Sequence, residues 1–108
     1  MAKRDNLQGA LELLVMKILR RGMNHGFAIA TAIHQSSDDV LRVEAGSLYP
    51  ALHRMTEAGL LKAEWRMSDA GRRARFYELT DKGRRKLETD EKKWRAVSAA
   101  VAKILRTA

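Results

Sequence analysis

Cysteine is absent from the 108 residues of this chain, which removes a disulfide framework, a thiol nucleophile and a thiolate zinc site. Aromatic side chains are scarce, two each of tryptophan, tyrosine and phenylalanine. That is too few for a platform on which single-stranded bases stack in succession. No apolar run approaches the ~20 residues that a membrane-spanning helix needs. The N-terminus, MAKRDNLQGALELLVMKILRR, sets basic residues before an apolar stretch as a signal peptide does. Glu12 and Lys17 interrupt that stretch, and no small-residue cleavage site follows. The expectation is a cytoplasmic chain. There is no phosphate-cradling glycine loop, no internal repeat and no long linker. His25, His34 and His53 are too scattered for a local metal motif, and Ser47 and His53 sit on nearly opposite sides of one helix. No enzyme, metal or cofactor is expected.

What the chain has in excess is positive charge: 21 lysines and arginines against 13 acids, a formal +8 and a pI near 10.3. The excess is uneven. Residues 45–86 carry ten basic side chains against five acidic, whereas residues 1–44 carry six against five. An acidic partner is implied, with its contacts centred on that middle segment. A length of 108 residues suits one small domain with one core.

Leu7, Leu11, Leu14, Val15, Ile18 and Leu19 recur at helical spacing and predict a first helix over about 8–21, closed by Gly22. Leu13 and Met16 add apolar surface on another side, so its own domain can cover one face and a partner helix another. A second helix is predicted at about 26–36, with Phe27, Ala30, Ile33 and His34 inward. Val40, Leu41 and Val43 read as a brief strand. A third helix, about 46–58, carries Pro50 in its first turn, where proline costs little. Leu60–Met67 and Arg72–Leu79 predict two strands joined by Ser68-Asp69-Ala70-Gly71. Thr80 is a good N-cap for a long last helix whose start Gly83 weakens. Its Leu87, Trp94, Val101 and Ala108 repeat by sevens, with Val97, Ile104 and Leu105 between and Asp90 and Glu91 as a polar gap. The fold expected is mainly α with a small β-hairpin, an α+β winged helix-turn-helix. Residues 1–80 would form its DNA-binding part and 81–108 a C-terminal dimerisation helix, as one compact unit.

A helix that reads DNA needs an apolar side to anchor it and a polar side that reaches base edges. Leu48, Leu52 and Met55 supply the first; Ser47, Tyr49, His53 and Arg54 are candidates for the second. Arg66, Arg72, Arg73 and Arg75 crowd the hairpin, where they can grip phosphates or reach a minor groove. The same residues also suit a solvated helix beside a charged strand edge that resists aggregation. Tyr77 reads as a core residue and Trp65 as core or hairpin packing. Leu11 and Val15 of the first helix, with Leu87, Trp94, Val97, Val101, Ile104 and Leu105 of the last, are the expected subunit seam. If that seam leaves a cavity, Trp94 can stack on a flat aromatic ligand.

Gly46 to Leu61, GSLYPALHRMTEAGLL, resembles the recognition-helix signature of the PadR family of bacterial transcriptional regulators. Arg75 to Gly83, RFYELTDKG, is similar to that family's second wing strand and the start of its last helix. His25-Gly26-Phe27-Ala28-Ile29 is similar to the start of its second helix, where tyrosine is usual at the place of Phe27. The resemblance runs in order over almost the whole chain. It implies a homodimer joined through the C-terminal helix that represses transcription from a near-palindromic double-stranded operator. Ser47, Tyr49, His53 and Arg54 would meet the major groove and its phosphates, and the wing arginines the backbone or minor groove. It also implies a small planar aromatic effector, because some relatives take phenolic acids or planar drugs in a pore lined by a C-terminal-helix tryptophan. Trp94 holds the comparable place. Two other readings stay open: a winged-helix protein-interaction module without sequence-specific DNA binding, and a ligand sensor whose output is allosteric.

Overall fold

Seven elements follow one another in the computed structural model, which describes residues 5–107 and side chains from Ala10 onward. They are α1 (Asp5–Leu19), β1 (Asn24–His25), α2 (Gly26–Ser36), α3 (Ala45–Glu57), β2 (Leu61–Met67), β3 (Arg73–Leu79) and α4 (Asp81–Thr107). The side chain of Leu7 and the whole of Ala108, both read above as apolar positions, lie outside that description. The order helix, helix, helix, hairpin, long helix is the predicted one. An added two-residue strand makes an antiparallel sheet of order β1-β3-β2. No helix among the described residues is long and apolar enough to cross a membrane.

The core is built around α1, which packs on α2, α3 and α4 of the same chain. Leu11, Val15, Met16, Ile18 and Leu19 are all buried there. Each such side chain contributes about 1.5–3 kcal/mol by leaving water. This corrects two expectations. Met16 is fully buried with the rest of the helix's core-facing residues. Leu11 and Val15, expected at a subunit seam, are enclosed by their own chain and have no surface to offer a partner. Leu87 of α4 is likewise buried against this core rather than held for a seam.

α2 opens on His25, whose Nδ1 accepts a hydrogen bond from the Ala28 amide at 3.2 Å and so caps the helix. Gly26, Ile29 and Ile33 face inward. Phe27, expected inward, is 74% exposed. It lies two residues before Ile29, about 160° round the helix, and cannot share its side. Ala30 and His34 are only half-buried. Residues 40–44 form no strand. The chain passes through the left-handed region at Asp38 and Asp39 (φ 54° and 66°), which turns it before a ladder can start. The Ser37 hydroxyl then accepts from the Leu41 amide at 2.9 Å.

β2 and β3 pair from Leu61↔Leu79 to Met67↔Arg73. Side chains alternate across the two faces, so Leu61, Ala63, Trp65 and Met67 share one face with Arg73, Arg75, Tyr77 and Leu79. That face is buried at its base and open towards the tip. Tyr77 is buried as expected, and burial pushes its phenol above the usual value, partly offset by the nearby Arg75 charge. The tip turns through Gly71 at φ 78°.

Thr80 caps α4: its hydroxyl accepts from the Gly83 amide at 3.0 Å and reaches the Gly59 carbonyl at 2.7 Å. Gly83 is not a weak point in the helix. It is buried, and a Cβ there would lie 2.3 Å from the Leu60 carbonyl oxygen. Only glycine lets α4 cross the start of β2 this closely.

Candidate nucleic-acid interface

Helix α3 turns Leu48, Ala51, Leu52 and Met55 into the core and leaves the opposite side in solvent. At 100° per residue that outer row is Gly46, Pro50, His53 and Glu57, all exposed. The helix begins at Ala45, so Pro50 is its sixth residue rather than a first-turn one. Proline has no N–H to donate to the Gly46 carbonyl four residues back, so that helical bond is missing.

The four residues expected on the reading face divide. His53 is exposed on the outer row. Ser47 is half-buried on the flank that also carries Arg54. Arg54 Nη2 lies 3.4 Å from Oε2 of Glu12 on α1. Tyr49 is on the other flank, 48% exposed, with its ring edge set on Gly26. A Cβ at Gly26 would come within 2.6 Å of that ring. Glu12 and Gly26 were missed by sequence reasoning. Glu12 was visible only as a charge interrupting an apolar helix, and nothing local to Gly26 reveals a neighbour 23 residues ahead.

The hairpin arginines also divide. Arg73 and Arg75 stand over the Trp65 ring, with guanidinium carbons 5.0 and 5.7 Å from its centre. Arg66 points to the other face. It sits over Phe76 at 5.8 Å, beside the Met23 sulfur and 3.5 Å from Glu64. Arg72 is exposed at the turn. The structure therefore groups Arg73 with Arg75 and sets Arg66 apart. The face of Arg66 is braced by His25, whose ring meets Phe76 edge-on at 5.2 Å.

Helix α4 leaves the core after Leu87. Glu91, read as a polar gap, fastens it to α1. The carboxylate pairs with Lys17 at 3.1 Å and with Arg95 one turn on, and these bonds hold its pKa below the usual carboxylate value. A lowered folded-state pKa adds stability at pH values above the ordinary carboxylate range. That contribution is lost as pH falls through the lowered value. Beyond this point Trp94, Val97, Val101, Ile104 and Leu105 form an exposed apolar stripe spaced three, four and three. Trp94 is 48% exposed on it. Among the described residues no group of three or more His, Asp or Glu stands close enough to hold a metal ion.

The family model described as transcriptional regulator PadR-like family matches residues 15–89. No protein of curated function matches in sequence. Among solved structures, a PadR-like transcriptional regulator from Bacillus cereus is 30% identical, with a TM-score of 0.78 over 92% of this chain and 94% of that one. A PadR family transcriptional regulator from Eggerthella lenta is also 30% identical, with a TM-score of 0.72 over 94% and 82%. A transcriptional regulator from Clostridium thermocellum shares the fold at a TM-score of 0.82 and 20% identity, over 92% and 96%.

Proposed function

The chain belongs to the PadR-like family of transcriptional regulators, and from that premise we propose that it is a homodimeric, sequence-specific DNA-binding repressor. As a member of this family it is a regulator and not an enzyme. Residues 1–80 form the DNA-binding part, and 81–108 form the helix that pairs with a second copy. It acts in the cytoplasm. α3 enters the major groove of a near-palindromic duplex. His53, Arg54, Ser47 and Tyr49 face bases and phosphates there. Arg72, Arg73 and Arg75 of the wing lie along the backbone or in the minor groove, with Arg66 in a supporting place. The stripe from Trp94 to Leu105 forms the subunit seam. A small planar aromatic effector stacks on Trp94 within it and relieves repression.

One observation carries this reading. α3 is anchored from behind by four buried residues and leads directly into an arginine-bearing hairpin whose tip stands in solvent. Helix, hairpin and the first residues of α4 together, residues 45–86, hold ten basic residues against five acidic. Phosphate neutralisation needs this charge, and an uncharged partner would not.

The flanking places of Arg54 and Tyr49 refine what mutation does. His53→Ala and Arg54→Ala are each expected to weaken operator binding by about 1–3 kcal/mol while leaving the unfolding temperature unchanged. For Arg54→Ala part of the loss is offset, because the wild-type guanidinium gives up Glu12 when it turns to DNA. Fluorescence anisotropy on a selected duplex measures both. Undiminished affinity in both variants would remove α3 as the reading helix.

A further inference from the structure

Trp65 has no role in the reading above, yet its surroundings are specific. It lies directly across from Arg75 in the strand register, and Met67 lies across from Arg73. Nearer the base, the same face closes over Ala63, Tyr77 and Leu79 and joins the core. At Trp65 the core has ended. The indole is 54% exposed, and two guanidiniums stand over its ring at 5.0 and 5.7 Å. A large aromatic at such a place loses burial, and an apolar strand tip is a liability for a monomer. Its return is electrostatic: the negative face of the indole attracts both cations, and the planar guanidiniums stack on it.

Two arginines on a free hairpin tip would sample many rotamers and would have to be ordered when they meet a phosphate. We propose that Trp65 is a positioning residue that holds Arg73 and Arg75 as a pre-ordered pair for the DNA backbone. This rests on the DNA-binding reading and adds a residue to it. The ring itself does not touch the duplex; it sets where the two charges stand before the duplex arrives. Arg66 has no share in this, because it is held on the opposite face by Phe76 and Glu64.

The test is a mutant cycle on the full chain, with affinity for a labelled mixed-sequence duplex measured across a salt series. Trp65→Ala is expected to weaken binding about tenfold, the cost of ordering two released arginines. The salt slope should stay close to wild type, because both charges remain. Arg73→Ala/Arg75→Ala should lower the slope by about two, one per lost phosphate contact. Adding Trp65→Ala to that double variant should change nothing further. Trp65→Phe, which keeps an aromatic face, should recover most of the loss. The proposal is overturned if Trp65→Ala binds as wild type, if it loses the same factor without the arginines, or if phenylalanine is as weak as alanine. A wild-type chain that binds no duplex at all would instead overturn the DNA-binding reading, and this inference with it.

Discussion

Gly83→Ala is expected to lower the stability of the fold by about 1–3 kcal/mol or more, the range for forcing an atom into a filled place. For a domain of this size that is a fall of roughly 5–20 °C in unfolding temperature. A Cβ at Gly83 would lie 2.3 Å from the Leu60 carbonyl oxygen and 2.7 Å from Leu79 Cδ1. The leucine side chain can turn away, but the carbonyl cannot move freely, because it accepts the Thr80 amide at 3.1 Å. That bond ties the start of α4 to the start of β2. Relief therefore requires the whole α4 start to shift, which loosens Leu87 from the core. Gly46→Ala is the control. Nothing lies within 4 Å of a Cβ there, so alanine should leave stability unchanged or raise it by up to about 1 kcal/mol through helix propensity. Thermal unfolding of the two variants decides it. Equal unfolding temperatures would mean that α4 does not cross β2 this closely.

If α4 pairs with a second copy as proposed, aspartate at both Val97 and Val101 is expected to give a folded monomer and to weaken operator binding by on the order of 10²–10⁴-fold. Both valines are about half exposed in the single chain, so the substitutions remove no packing of the domain itself. They place two charges in the middle of the apolar stripe, where a partner helix would have to desolvate them. Loss of the second half-site contact removes the effective concentration that joined subunits provide, and this sets the size of the fall. Light scattering gives the mass, and the unfolding temperature shows that the domain survives. A wild-type monomer, or a double variant that stays dimeric, would remove the stripe as the seam.

Much of the fold is legible in the sequence where one pattern has one physical meaning. Leu48, Leu52 and Met55 at spacings of four and three can only face one way on a helix, and they do. Residues 61–67 and 73–79 around a glycine turn make the expected hairpin, and Thr80 makes the expected cap. What was missed depends on contacts between distant parts of the chain. Asn24 and His25 become a strand only because Tyr77 and Phe76 lie alongside. Phe27 is apolar and yet outside, since Ile29 and Ile33 set the inner side of α2. Val40 is 77% exposed because two aspartates in left-handed conformation redirect the chain before it can pair. Leu11, Val15 and Leu87 look the same in sequence whether they face their own domain or a second copy. Only the packing of α1 on α4 assigns them inward.

The candidate site divides in the same way. Residue type and spacing pick out His53 as an exposed polar residue on an anchored helix, and Arg73 with Arg75 as a pair on one strand face. They do not reveal that Arg54 is held by Glu12, that Tyr49 rests on Gly26, or that Arg66 faces away from the other wing arginines. Each of these joins residues that are far apart along the chain. Each bears on which side chains are free to meet a duplex.

A dimer that reads DNA sequence selects its own site from a mixture of duplexes. Repeated selection of purified protein on a random duplex pool at near-physiological salt, followed by sequencing of the survivors, tests this most directly. The expected product is a pseudo-palindrome with half-sites about one helical turn apart, matching two copies of α3 related by a two-fold axis. Folded, dimeric protein that enriches no sequence would contradict sequence reading, leaving only charge attraction between the basic segment and phosphate.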